Sequence, residues 1–245
     1  MTDEQLARSV AQEAGALLRA ICAKGDCEGK ELGKRGDAEA NTLILQRLRA
    51  ERPGDFILSE EAADDRKRCS ASRVWIVDPL DGTREYGEAR EDWAVHIGLA
   101  IDGAPVAGAV ALPAIGTVFT SDDPQPAFPP LPERPRMLVS RSRPPEIASK
   151  VAEALRAELV PMGSAGAKAM AVVRGEAEVY LHDGGQYEWD NCAPVAVALG
   201  AGLHVSRIDG SPLIYNCENP LLPDLLICRR ELAEPILALV REYRA

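Results

Sequence analysis

Residues Val74–Glu88 read VWIVDPLDGTREYGE. The apolar run Val74–Val77 stops at Asp78, and a second acid, Asp81, follows across Pro79 and Leu80. β-branched and aromatic residues favour a strand here. Pro79 fixes φ, and Gly82 tolerates the positive φ of a tight turn. Both carboxylates are therefore expected at the C-terminal lip of a strand, where α/β proteins gather ligands. Thr83, next in the chain, can cap a helix and hold a water. A solvated Pro-Leu-Asp-Gly turn explains the motif equally well when it is taken alone.

Two more acid-tipped apolar runs argue for a shared site. FILSEEAADD sets Glu60 and Glu61 behind Phe56–Ser59, and QYEWDNCAPVAVALG sets Asp190 ahead of a helical pattern. Each also has a plainer reading. Ser59 can cap a helix whose first turn holds acids to suit the macrodipole. Asp190 can cap a helix that tolerates Pro194 in its first turn. Asp37, in KRGDAEAN, is an N-cap candidate for the second helix. A carboxylate can cap with one oxygen and bind a cation with the other, so the readings are compatible. Only three histidines occur, His96, His182 and His204, which disfavours a histidine zinc cluster. Carboxylate ligands point to magnesium or manganese. His96, in an apolar strand, reads as a satisfied core residue.

The 245 residues can bury a substantial core, in one large domain or two packed halves. With 28 Lys and Arg against 38 Asp and Glu, the formal charge is −10. No basic stripe exists, which argues against binding a nucleic-acid backbone. No apolar run approaches the roughly 20 residues of a membrane span. The start, MTDEQLARSVAQEAGALL, lacks the pattern of a secretory signal. The six cysteines show no CxxC spacing and read as reduced thiols in a cytoplasmic protein.

Along the chain, Leu6, Val10, Ala14, Leu17, Leu18 and Ile21 predict an opening amphipathic helix. The charged, glycine-containing AKGDCEGKELGKRGD reads as a loop, with a second helix through AEANTLILQRLRA. DFILS, RVWIVD and the segment WAVHIGLAIDGAPVAGAVALPAIGTVFTS predict strands, the last with a hairpin at Asp102-Gly103. Six prolines between Asp122 and Arg136 mark a stiff connector. They divide an α+β half, residues 1–133, from an α/β half, residues 134–245. In the second half, strands and helices alternate up to a strand pair around Asp209-Gly210.

Together the motifs SEE (59–61), DPLDGT (78–83) and WDNCAPVAVALGAGLHVSRIDGSPL (189–213) resemble the inositol monophosphatase superfamily of magnesium-dependent, lithium-sensitive phosphatases. Within it, DPLDGTREY, GSAGAKAM and LHDGGQYEWD are most similar to the CysQ-type 3′-phosphoadenosine 5′-phosphate phosphatases of the actinobacterial form; the inositol branch usually carries Asn where Glu85 stands. The resemblance implies a layered αβαβα sandwich. One magnesium would be held by Glu60, Asp78, the Leu80 carbonyl and Thr83. A second would be held by Asp78, Asp81 and Asp190, and a third, looser ion by Glu60. Manganese would substitute, and lithium inhibit. Catalytic roles fall on Asp37, Glu60 and Thr83, with Asp37 and Thr83 orienting the attacking water. In place of the family's Val-Thr-x-x-Asp, this chain has GKRGD before that acid. Substrate contacts fall on Asp81, Gly82, Thr83, Ser164, Lys168 and Asp190, with Lys168 meeting a second phosphate; a solvated helix lysine is the plainer reading. The implied reaction removes the 3′-phosphate of 3′-phosphoadenosine 5′-phosphate in support of sulfate assimilation. Inositol-1-phosphate or fructose-1,6-bisphosphate phosphatase activity is the alternative. A non-catalytic metal- or phosphate-binding regulator is a third. The family is commonly dimeric, so a homodimer is expected.

Overall fold

The computed structural model describes residues 1–244. Helix α1 (Asp3–Lys24) opens with a capping box between Thr2 and Gln5, two N-terminal amides satisfied at once. Helix α2 spans Gly29–Glu51, so GKELGKRGD is helical and not the loop its glycines predict. These are packing glycines. A Cβ on Gly33 would stand 2.7 Å from Thr83 Cγ2, and one on Gly36 3.0 Å from Leu18 and Tyr86 side chains. Asp37 consequently lies inside α2 rather than at its N-cap.

Strands β1 (Phe56–Ser59), β2 (Arg73–Asp81), β3 (Ala94–Ile101), β4 (Ala104–Leu112) and β5 (Thr117–Thr120) form a sheet in chain order. β1 pairs parallel with β2, and the other neighbours are antiparallel. Asp102 and Gly103 both take positive φ at the predicted hairpin. Helix α3 (Thr83–Gly87) leaves the end of β2. No helix begins at Ser59; the next is a short 3-10 turn, Arg66–Ser70, capped by Asp65. The Ser59 hydroxyl donates to Asn41 Oδ1 at 2.8 Å, so the capping role read for it is not realised.

The second sheet is built from β6 (Arg136–Ser140), β7 (Glu158–Met162), β8 (Val179–His182), β10 (His204–Ser206) and β12 (Leu225–Cys228), in the order β10-β12-β8-β6-β7. A two-stranded ribbon, β9 (Gln186–Tyr187) with β11 (Leu221–Leu222), lies beside it. The strand pair expected around Asp209-Gly210 is absent among the described residues. β10 instead pairs with the distant β12, because residues 212–220, with two prolines, run across to the first half, where Tyr215 N donates to Gly103 O. The remaining helices are α4 (Glu146–Leu155), α5 (Ala165–Val173), α6 (Glu188–Gly200) and α7 (Arg230–Arg244). α7 has no counterpart among the elements expected from the sequence.

Strand alternation sorts the side chains into three cores, hence five layers. Trp75, Val77, Val95 and Ile97 face α1 and α2. Val74, Ile76 and Val110 face α5 and α6, whose other side covers Leu138, Tyr180 and Ile227 of the second sheet. Met137, Val139 and Leu226 face α4 and α7. The order helix–sheet–helix–sheet–helix is the predicted sandwich. α6 packs tightly on the first sheet, since a Cβ on Gly98 or Gly108 would come within 2.9 Å of Ala193 backbone atoms. Residues of the second half thus reach the carboxylates of the first.

Candidate metal centre

Asp78 leaves β2 on the side facing α6, two residues after Ile76. Its oxygen accepts from Leu80 N at 3.0 Å. The register between β2 and β3 slips from Asp78 to Asp81, which brings both acids to the same side. Asp190 arrives from α6. It is not the N-cap that was expected: the helix starts at Glu188, and Asp190, at the third position, accepts from Tyr187 N. Pro194 accordingly lies in the helix interior and gives no N–H to the Asp190 carbonyl. The placement of α6 is enforced below it. Buried Glu188 accepts from Asn216 N at 2.7 Å and Cys217 N at 2.8 Å. Buried Arg68 bonds Asp64, Asn216 and Cys217.

Asp78, Asp81 and Asp190 offer oxygens that all lie within 4.8 Å of one another. Glu60, just after β1, is tied beside Asp78 by its N–H, which donates to the Val77 carbonyl at 3.3 Å. Thr83 Oγ1 lies 3.1 Å from both Asp37 Oδ2 and the Leu80 carbonyl. Asp37 Oδ1 is buried without a partner. Glu60, Asp78, Leu80, Asp81, Thr83, Asp190 and Asp37 are thus brought to one place by four separate segments.

The electrostatics show what the cluster lacks. Burial, then repulsion by Glu60, Asp81 and Asp190, raises Asp78 well above the usual carboxylate range. Asp190 is pushed up to about 7 by burial and Asp81. Asp37 is also raised to about 7, by burial and Glu61. Glu60 is raised by partial burial and its acidic neighbours. Like charges so gathered favour protonation unless a cation intervenes. An all-oxygen donor set, with an orphaned buried oxygen beside it, fits hard divalent ions.

Asp81 is the exception. Burial raises it, but His96, Ser164 and Lys168 together hold it low. Its Oδ2 accepts from Ser164 Oγ and from Gly166 N at 2.7 Å. His96 belongs to this site and not merely to the core. It sits opposite Asp78 in the β2–β3 register, with Nε2 3.2 Å from Asp81 Oδ2 and Nδ1 3.0 Å from the Trp189 carbonyl. The available signal was alternation: His96 shares the inward face of β3 with Ala94. Ser164 caps α5 with φ at +47°. Beside it, Lys168 is buried rather than solvated, and its ammonium donates to the Met162, Gly163 and Ser164 carbonyls at 3.4, 3.1 and 2.6 Å. Burial lowers it to about 8. Asp81, Gly82, Ser164, Lys168 and Asp190 line a polar cleft of about 190 Å³.

Residues 2–245 match the inositol monophosphatase family. The chain belongs to that family. Its enzymes are metal-dependent phosphatases. It is 50% identical, over 99% of its own length and 94% of the other's, to a 3′-phosphoadenosine 5′-phosphate phosphatase of Mycobacterium leprae. It is 31% identical to the 3′(2′),5′-bisphosphate nucleotidase CysQ of Escherichia coli, over 73% and 77% of the two chains. In fold it is similar to the staphylococcal inositol monophosphatase II, with a TM-score of 0.80, 22% identity and coverage of 100% and 99%. Structures of that family member exist with 2′-AMP and with inositol monophosphate bound. Among the described residues of this family member, no helix is long and apolar enough to cross a membrane.

Proposed function

We propose that this phosphatase hydrolyses the 3′-phosphate of 3′-phosphoadenosine 5′-phosphate, with Mg²⁺ as its metal, and so supports sulfate assimilation in the cytoplasm. The observation that carries the chemistry is the convergence of Asp78, Asp81 and Asp190 within 4.8 Å. The substrate reading is supported by 50% identity to the M. leprae enzyme across both chains. Six free cysteines are compatible with a reducing compartment.

Asp78, Asp81 and Asp190 would hold the ions together with Glu60, the Leu80 carbonyl and Thr83. Divalent ions bound there neutralise phosphoryl oxygens and make water a better nucleophile. The chain supplies orientation and a proton acceptor. Thr83 Oγ1 carries one proton for two acceptors, Asp37 Oδ2 and the Leu80 carbonyl. When it donates to Asp37, its lone pairs are free to position a water. Asp37, whose Oδ1 has no protein partner, is placed to accept the proton of that water. Water attacks phosphorus in line and gives a proton to Asp37, the bond to the 3′ oxygen breaks, that oxygen takes a proton from solvent water, and inorganic phosphate and 5′-AMP leave. Gly82, at φ +87°, precedes α3, and its amide and that of Thr83 would receive phosphoryl oxygens. Ser164 and Lys168 lie along the wall that a second phosphate would meet.

The test is kcat/KM with Mg²⁺ for 3′-phosphoadenosine 5′-phosphate, inositol 1-phosphate and fructose 1,6-bisphosphate. The nucleotide is expected to lead by at least about tenfold. A lead by inositol 1-phosphate overturns the substrate reading, and no phosphate release from any of them overturns the enzyme reading. Millimolar lithium is expected to inhibit.

A further inference from the structure

The mechanism above leaves Glu85 without a role. It lies on α3 and is nearly buried. Its carboxylate accepts from Arg141 Nη2 at 2.7 Å. Arg141 directly follows β6, in the other half of the molecule, and Glu88 provides a second acceptor at 3.0 Å. The ion pair therefore spans the cleft between the catalytic turn on one side and residues 140–143 on the other, and both partners line it. The fit is close. A Cβ on Gly163 would stand 2.7 Å from Glu85 Oε1, so only glycine there lets the carboxylate pass, and Arg141 N is tied to Met162 O at 3.2 Å.

A substrate with one phosphate on a small ring needs only the carboxylate wall. One carrying a second phosphate must also meet the opposite wall, whose cations are Arg141, Arg143 and Lys168. Arg141 and Lys168 are held by protein groups, whereas no ion pair engages Arg143 among the described residues.

We propose that Glu85 is a positioning residue: through its ion pair with Arg141 it fixes residues 140–143 as the second wall of the cleft, and thereby sets the preference for a two-phosphate nucleotide over a one-phosphate cyclitol. This rests on the nucleotide reading above. Glu88, more exposed at 39% of its side chain, contributes less, because solvent screens it.

The experiment compares wild type, Glu85→Gln, Arg141→Met and the charge swap Glu85→Arg/Arg141→Glu, at saturating Mg²⁺, with melting curves to confirm folding. For 3′-phosphoadenosine 5′-phosphate, KM is expected to rise about tenfold or more in each single variant, with kcat within about threefold, since a partly buried charge loses its partner. For inositol 1-phosphate, kcat/KM should stay within about threefold. The swap should recover part of the lost nucleotide preference. Equal losses on both substrates, or a fall in kcat with KM unchanged, or variants that keep the wild-type preference, overturn the proposal and leave the nucleotide reading intact. A wild type without nucleotide preference overturns that reading and this one together.

Discussion

At the scale of single residues, the site is a set of carboxylates whose environments differ although their chemistry is the same. Asp81 is held ionised by Ser164, His96 and the Gly166 amide, whereas Asp78, Asp190 and Asp37 are pressed toward protonation. Replacing Asp81 removes the one acid of the cluster that the protein's own groups hold anionic without a metal ion. Asp81→Asn is expected to lower kcat/KM by about 10³-fold or more, in line with losing one preorganised charge contact in a buried site. It should leave the far-ultraviolet spectrum unchanged, because no apolar packing is lost. Activity within tenfold of wild type would remove Asp81 from the machinery. Asp78, Asp81 and Asp190 were readable in the sequence because each ends or begins an apolar run. The pairing of His96 with Asp81 was not, since the β2–β3 register and the slip at Asp78–Asp81 emerge only when the strands meet.

The elements decide how closely these residues approach. α2 runs against α3 through Gly33, whose Cβ would overlap Thr83 Cγ2 at 2.7 Å and crowd the Thr83 carbonyl at 3.2 Å. In an open helix, Gly→Ala would add about 1 kcal/mol of stability. Here a displaced Thr83 opposes that gain, and it is also the partner of Asp37. Gly33→Ala is therefore expected to cut kcat at least about tenfold with helix content kept, while Gly54→Ala, with open space around it, changes nothing. Equal activity in the two variants would show that the contact relaxes without cost. The same glycines explain where the sequence misled. KELGKRGD has the composition of a loop, and its glycines are there for close packing, a requirement set chiefly by Leu80, Thr83 and Tyr86, 44 to 50 positions away. Strands and hairpins were legible because alternation and the Asp102-Gly103 turn are local. The pairing of β10 with β12 and the course of residues 212–220 were not, because they depend on contacts to Arg68, Gly103 and Glu188.

For the whole molecule, the layers force acids from both halves together, so stability is tied to pH and to cations. Asp37 and Asp190 ionise near the usual carboxylate range when unfolded and at about 7 when folded. Between roughly pH 4 and 7 the folded chain thus binds more protons than the unfolded one, and its stability falls as pH rises through that window. The sign is that of raised acids: the penalty is absent below pH 4 and complete above 7. A divalent ion at the cluster replaces the missing protons and removes the penalty. Ligand at a hundredfold its Kd adds about 2.7 kcal/mol, about 5–10 °C in Tm for a chain of this length. Metal-free protein, prepared with a chelator, is expected to melt lower at pH 8 than at pH 5.5. Adding Mg²⁺ should raise Tm by about that amount at pH 8 and by clearly less at pH 5.5, where protons already occupy the carboxylates. Asp78→Asn/Asp190→Asn should melt higher than wild type without metal at pH 8 and gain little from Mg²⁺, since it loses the repulsion together with the ligands. A Mg²⁺ shift of equal size at both pH values, or one that survives in the double variant, would place the ion elsewhere than on these carboxylates.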